Sequence, residues 1–523
     1  MSEYLLAAEA DKIQDLIFRS SHLREVVGGS QMLTHFCQET APNLAKDYAG
    51  KKIISDGGSF LFRFDDNKKA ASFGPALAEA YRRELGGTLT VIEKPVSVNG
   101  DFTTAQEETH RALRAAKEHQ AHYLVTPHFP YIAFCASCGT GLAVTHDKLR
   151  KKDPEGQYLC PQCKEKSLYR EKHGQEYFLQ LFYGKLNRPV PDDILVAEEI
   201  GKLDPRNYVA YLLADGNNMG KVFGKCASPE QMETLSKKLA DKTREGLAGP
   251  TEMMLVKQKA VLQEKIGDRV PILPLILGGD DLFVLIPAPW ALDFAYRFAQ
   301  TYEHEIGEIV RDFSVVPKPT VSVAVVICKA KYPYYLAHQR GEELLAEAKK
   351  FSKRWAVDNN NDNPSSVINF DVILGSRLAG EEHREGKHRR TLKPYWVDDS
   401  KREGWGISIK HMIDQRYELC KLPHKRLEQL EAHFDTLAPV TNSDERKKWL
   451  DRLEKLLKRI LSVAGSSAND LVSKALEALG GKELFEVSRT TDKEDWFGHA
   501  LPDLLSAWDF AFSLDKSREE YEE

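Results

Sequence analysis

Residues 275–286 read LILGGDDLFVLI, two apolar arms closing on two glycines and two adjacent aspartates. Apolar runs of this length on both sides of a Gly-Gly turn predict a β-hairpin with buried arms. The tip then carries two carboxylates side by side, which repel each other unless a cation sits on them. Such a chain must build a sheet around the hairpin and leave its tip where something positive binds. The flanking residues supply that sheet. YVAYLLAD (208–215) reads as a buried strand, and Ser228, Pro229 and Gln231 mark a helix start by N-cap, first-position proline and capping box. VPILPLIL and LFVLIP form the hairpin arms, Pro289 to Arg311 a second helix, PTVSVAVVI a further strand and GEELLAEAKKF a further helix. This α+β order suits a ferredoxin-like sheet with helices on one face, the layout of polymerase-type palms.

The pattern occurs twice. LAAEADKIQDLIF resembles LLADGNNMGKVF, and IISDGGSFLFRF resembles LILGGDDLFVLI. Aligned on the glycines, the first copy keeps Gly57 and Gly58 and replaces the two aspartates with Ser59 and Phe60. An internal duplication with one blank copy follows. At 523 residues the chain has room for several domains. Its expected division is a first, inactive palm over 1–125, a zinc-binding module and linker over 126–205, a second palm over 206–400 and a helical domain over 401–523. In the last of these, Trp449, Leu450, Leu453, Leu456, Leu457, Ile460 and Leu461 share one helix face behind a capping signal at Asn442 and Glu445.

Charge and composition narrow the class. A formal net charge of -5 argues against a protein that coats nucleic acid over its whole surface, leaving local contacts such as KLRKK (148–152), which reads equally as a solvated charge run; 383–396 is a further basic, exposed stretch. No apolar run approaches the roughly 20 residues that span a bilayer, and the N-terminal residues carry acids where a signal peptide carries bases. A cytoplasmic protein without membrane contact is expected. Of eight cysteines, four form two C-x-x-C pairs, Cys135 with Cys138 and Cys160 with Cys163, separated by 21 residues. That spacing predicts a closed tetrahedral Zn²⁺ site, which is structural because no ligand position stays open. The dipeptide His146-Asp147 falls inside this loop without a surrounding His/Asp cluster, so it does not predict an HD nuclease.

The candidate chemistry centres on the second hairpin. Asp215 ends its own strand next to the tip, so Asp215, Asp280 and Asp281 converge as hard oxygen ligands for Mg²⁺ or Mn²⁺, the ions that assist phosphoryl transfer. Gly278 and Gly279 allow positive φ and close backbone approach by a triphosphate. Asn217 and Asn218 follow Asp215 and join the candidate nucleotide-binding set. Of Lys349 and Lys350, about 100° apart on their helix, Lys349 is favoured to reach the phosphates. An ordinary Asp-rich turn is the competing reading, weakened by the buried strands on both sides.

Taken together, EADKIQDLIFRSSHLREVVGGSQML, the four cysteines, ADGNNMG, LILGGDDLFVLIP, TVSVAVVICKAKYP with the following ELLAEAKK, and RRTLKPY resemble the large palm-containing subunit of type III CRISPR effector complexes. The resemblance covers nearly the whole chain in order. It implies two facing palms with ATP between them, joined 3′ to 5′ into cyclic oligoadenylate when target RNA pairs with the guide RNA of a multi-subunit complex. Asp215, Asp280 and Asp281 would hold the metals, and Asp56, Gly57 and Gly58 of the first palm would bind a second nucleotide without catalysing. The C-terminal helices would dock a small helical subunit near the RNA. The first palm starts at residue 4, where many relatives place an HD nuclease, so DNA cleavage by this subunit is not expected. Asn217 stands where a second acid is common, which leaves one or two metals open. Some relatives of this layout couple AMP to S-adenosylmethionine instead, and Glu9, Asp11 and Asp56 are then candidates to hold that acceptor. A catalytically silent scaffold is the non-enzymatic alternative.

Overall fold

The computed structural model describes residues 3–20, 23–118, 133–148, 155–173, 178–190, 195–312, 319–359, 364–374, 391–398, 406–420, 422–435, 443–464, 474 and 500–516. Most of KLRKK, the basic run up to residue 390, Asn442 and the side chains of Glu445, Trp449, Leu450 and Leu461 lie outside the described residues.

The N-terminal unit is a sheet of β1 (Glu3–Ala10), β2 (Lys51–Asp56), β3 (Ser59–Phe64), β4 (Leu89–Val91) and β5 (Val96–Val98). Its order is β2-β3-β1-β4, with β5 also on β1, and every pairing is antiparallel. Helix Leu23–His35 follows β1 and helix Asn67–Leu85 follows β3. The second of these starts where the Asp66 carboxylate accepts from Lys68 N–H at 2.7 Å and ends at Gly86, whose φ of 72° breaks the helix.

The cysteine module holds β6 (Thr145–Asp147) antiparallel to β7 (Gln157–Leu159) and leads into helix Pro161–His173. The module is anchored on the N-terminal unit. Lys166, on that helix, donates to Leu16 O, and Ser137 beside the cysteines shares the buried Glu25 carboxylate with Ser20.

The second unit repeats the βαββαβ order with β8 (Tyr208–Asn217), β9 (Leu273–Gly278), β10 (Asp281–Pro287) and β11 (Thr320–Lys329), in the order β11-β8-β10-β9. Beyond β11 the sheet adds β12 (Val367–Val372), parallel to β11, and β13 (Tyr395–Trp396). Helix Pro229–Lys257 begins as the sequence predicts: Ser228 Oγ accepts from Gln231 N–H at 3.2 Å. The Gln231 side chain reaches back one residue further than a capping box, to Ala227 N–H at 2.8 Å.

The two helices inside the βαββαβ order, Pro229–Lys257 and Ala291–Asp312, pack on each other, and helix Tyr334–Asp358 after β11 adds a cover on the other face. A Cβ on Gly216 would lie 2.7 Å from the Tyr302 hydroxyl of helix Ala291–Asp312. A Cβ on Gly341, in helix Tyr334–Asp358, would lie 2.4 Å from Leu213. Positions 213 and 216 of one strand point to opposite faces, so the sheet is covered on both. The cause is legible in β11, whose residues are buried without alternation up to Lys329.

The C-terminal helices Ile409–Leu419, His424–Asp435, Ser443–Ala464 and Ala500–Ser506 do not stand apart. Leu514 N–H donates to Asp293 at 2.7 Å, and Asp503 accepts from Leu392 N–H and the Tyr395 hydroxyl at 2.9 and 2.6 Å. Leu453, Leu457 and Ile460 are buried in the same apolar core that runs from Leu5 to Leu514. Among the described residues no helix is long and apolar enough to cross a membrane.

Candidate active site

The central strand β8 and the β9–β10 hairpin deliver the three acids. In β10 the register pairs Leu282 with Ala214, which brings Asp281 alongside Asp215, and Gly278 pairs with Asp281 to leave Gly279 and Asp280 as a two-residue loop. Gly279 has φ of 56°, which glycine adopts at little cost, whereas Gly278 is not in the left-handed region. Gly278 is instead a site of close approach: a Cβ there would lie 3.3 Å from Gly57 Cα. The two hairpins thus meet tip to tip. Asp56 accepts from Gly279 N–H at 3.2 Å and from Gly57 N–H at 3.0 Å.

This register also corrects the alignment of the copies. Asp56 pairs with Ser59 across the loop Gly57-Gly58, and Ala8 pairs with Phe60 as Ala214 does with Leu282. Asp56 therefore stands where Gly278 does, Gly58 where Asp280 does, and Ser59 where Asp281 does. Glu9 holds the position of Asp215. The first copy keeps one acid on its central strand and loses both at the tip, and the offset of one residue was hidden because Gly-Gly occurs in both turns.

Lysine selection follows the helix phase: Lys349 Nζ donates to Asp215, while Lys350 is exposed. Burial, then the charge of Asp215, pushes the Asp280 carboxyl up to about 7, with Lys349 opposing. Asp281 keeps surface open to the cleft yet sits deep among protein atoms; that desolvation, then Asp280 and Asp215, hold it well above the usual carboxylate range. Beneath the cluster lies Tyr302, whose buried hydroxyl has no hydrogen-bond partner among the described residues and whose pKa is raised by burial and by these acids. No sequence signal marks Tyr302, since an aromatic in an apolar helix face reads as core.

Two cavities flank the meeting hairpins. One, of about 460 Å³, is lined by Asp215, Asp281, Glu9, Asp56 and Gly57, with apolar walls from Ile13, Leu33 and Leu345. The other, of about 250 Å³, takes in Gly278, Gly279, Asp280 and Asp281 against Phe60, Leu113 and Met232. Several expected residues sit elsewhere. Asn217 is buried, donating to Thr320 Oγ1 at 3.1 Å and accepting from Ser322 Oγ at 2.9 Å, and neither it nor Asn218 lines either of these two cavities. Asp11 accepts from the Thr90 hydroxyl at 2.6 Å and lines neither, and Gly58 packs on Ile13.

Cys135, Cys138, Cys160 and Cys163 form a separate cluster whose sulfurs all lie within 4.8 Å of one another. The 3.8 Å between Cys138 Sγ and Cys160 Sγ fits a tetrahedron, because sulfurs 2.3 Å from one zinc stand roughly 3.8 Å apart. Gly141 N–H and Cys163 N–H point at Cys138 Sγ and Cys160 Sγ, 3.3 and 3.4 Å away, the donors that stabilise thiolates in such sites. His146 packs on Tyr158 and Asp147 pairs with Lys164 at 2.8 Å, so the HD dipeptide is structural.

Residues 208–357 match the family model for the second palm domain of Cas10/Cmr2. This chain is a relative of the type III CRISPR large subunits. A stretch of 160 residues is 26% identical to the CRISPR system Cmr subunit Cmr2 of Pyrococcus furiosus, covering 28% of this chain and 17% of that protein. Csm1 of T. onnurineus superposes with a TM-score of 0.54 at 16% identity, over 97% of this chain and 69% of that one. A Csm1–Csm4 cassette in complex with cA4 gives 0.52 at 14% identity, over 91% and 70%. At these identities the structures share the fold, and the palm match places the three acids inside the matched domain.

Proposed function

We propose that this chain is a metal-dependent nucleotidyltransferase that joins ATP into cyclic oligoadenylate, as the large subunit of an RNA-guided antiviral complex in the cytoplasm. The observation that carries this reading is the convergence of Asp215, Asp280 and Asp281 on the cleft where two hairpins meet, with cavities on both sides. An isolated cluster of this kind opposes folding, and a divalent cation relieves it, which gives the acids a reason to stand together. Mg²⁺ or Mn²⁺ held there would neutralise the triphosphate and activate the attacking hydroxyl. Lys349 fixes the Asp215 carboxylate, and the apolar walls of both cavities take the bases and exclude water. The Csm1–Csm4 cassette that shares this fold was solved with cA4, which supports the product class.

The N-terminal unit is the first palm in this reading, blank because Gly58 and Ser59 replace the tip acids. Zn²⁺ on Cys135, Cys138, Cys160 and Cys163 is structural. The C-terminal helices receive a small helical subunit, and guide and target RNA lie alongside. The expected divisions at residues 125, 205 and 400 belong to the same proposal.

One observation favours a second acceptor. The larger cavity carries five carboxyl groups, Glu9, Asp56, Asp215, Asp281 and Glu342, against three lysines, Lys12 on its wall, Lys117 paired with Glu9 and Lys349 paired with Asp215. His338 adds no charge there, since burial holds its pKa at about 4. An acceptor that brings its own positive charge, such as S-adenosylmethionine, suits that wall. The test is to incubate the complex, with guide and target RNA, with labelled ATP and Mg²⁺ or Mn²⁺, with and without S-adenosylmethionine. A new phosphodiester product from wild type, absent from Asp280→Ala with Asp281→Ala, is expected. No product, or one that survives the double substitution, leaves the scaffold reading in its place.

A further inference from the structure

We infer that Asp56 is a positioning residue for the second hairpin, a contact through which the N-terminal unit sets the geometry of acids it does not itself carry. The inference rests on the nucleotidyltransferase reading. Gly279 is the residue before Asp280, and its N–H and its carbonyl oxygen, on the two peptides that flank it, are each held. Asp56 accepts from Gly279 N–H at 3.2 Å, and the Thr243 hydroxyl, on helix Pro229–Lys257, donates to Gly279 O at 2.9 Å. With φ of 56° the glycine sits in a conformation that leaves the tip free to turn unless both groups are fixed. The backbones also touch, since Gly57 Cα would be 3.3 Å from a Cβ on Gly278. Arg244, buried next to Thr243 and paired with Asp241 at 3.2 Å, opposes the burial that pushes the Asp56 carboxyl up and so favours its acceptor form.

With the second oxygen of Asp56 on Gly57 N–H, both oxygens of the carboxylate are occupied by hairpin amides. These two bonds orient the Asp56 carboxylate on the hairpin tips, and its role as a positioning group is separated from ligation through its remaining lone pairs by the substitutions below. A displacement of the N-terminal unit pulls on Gly279 N–H and swings Asp280 and Asp281 together. This makes the blank hairpin a transmission element, and explains what a copy without tip acids does at the centre of the cleft.

A ligand and a positioning residue respond differently to substitution. Asparagine keeps one oxygen for Gly279 N–H while Gly57 N–H turns to water, whereas alanine leaves both unpaired. Asp56→Ala is expected to lower kcat about a hundredfold with KM for ATP nearly unchanged, and Asp56→Asn to stay within about tenfold of wild type. Hydrogen-exchange mass spectrometry on the full-length protein reads the contact without catalysis: Asp56→Ala accelerates exchange at Gly279 by at least about tenfold, and Asp56→Asn does so far less. Equal losses for Asn and Ala, or a rise in KM at constant kcat, make Asp56 a ligand and overturn the inference. Unchanged exchange at Gly279 in Asp56→Ala overturns it as well. If alanine prevents folding, Asp56→Asn alone decides by its exchange and kcat. If wild type makes no nucleotide product, the functional reading fails while the exchange result still decides the contact.

Discussion

Asp280 is the residue on which metal, proton and fold compete. Its carboxyl, at about 7 in the folded protein against 3.8 for the free group, binds a proton more tightly folded than unfolded. Without metal, that contribution to stability is complete at low pH and is lost as pH rises from about 4 through about 7. The melting temperature of the metal-free protein is therefore expected to fall from about pH 5 to about pH 8, and Mg²⁺ to raise it more at the higher pH, where no proton must be displaced. Scanning calorimetry in chelator and in Mg²⁺ checks this, and equal Mg²⁺ shifts at both pH values contradict it. Asp280→Asn should flatten both trends. At this scale the sequence named the acids that converge and, of two lysines, the one that reaches Asp215, because a motif and a helix phase are local. It misassigned Asn217, whose amide is spent between strands, and passed over Thr243 and Tyr302, whose partners are distant in the chain.

Elements were the most legible level. Strand, hairpin and helix order followed from apolar runs and caps, and both units have the expected strand order. What apolar runs did not give was the cover that helix Tyr334–Asp358 adds on the second face, which the unbroken burial of β11 in the structure reflects. The cysteine module was legible for another reason: ligand spacing is a covalent constraint that survives any packing. Because Ser137 in that module shares Glu25 with Ser20, metal removal reaches the N-terminal unit. One zinc per chain is expected by elemental analysis. Cys138→Ser with Cys160→Ser should lose it and lower the melting temperature, since structural zinc supplies about 10–16 kcal/mol of apparent binding energy in small sites. Full stability without zinc would remove the structural role.

The whole molecule is held by an interface that no single segment announces. Phe18 of the N-terminal unit packs against Phe283 with ring centroids 5.2 Å apart, against His338 at 4.1 Å and beside Tyr334, whose hydroxyl donates to Phe18 O at 3.3 Å. Phe18→Ala is expected to cost about 3–5 kcal/mol of packing between the units. Limited proteolysis should then cut between them faster, and nucleotide synthesis should fall even though every acid is intact. Undiminished synthesis would show that the cleft does not depend on this contact. The sequence by itself determined the two βαββαβ units, the hairpin that carries the acids and the four-cysteine cluster, because periodicity, turn chemistry and ligand spacing act between near neighbours. Only the tertiary structure decided that the hairpins meet, that the blank copy is offset by one residue, and that Asp56 holds Gly279. Those two residues are 223 positions apart, and a 3.2 Å hydrogen bond between them depends on how two sheets pack, which no local pattern encodes.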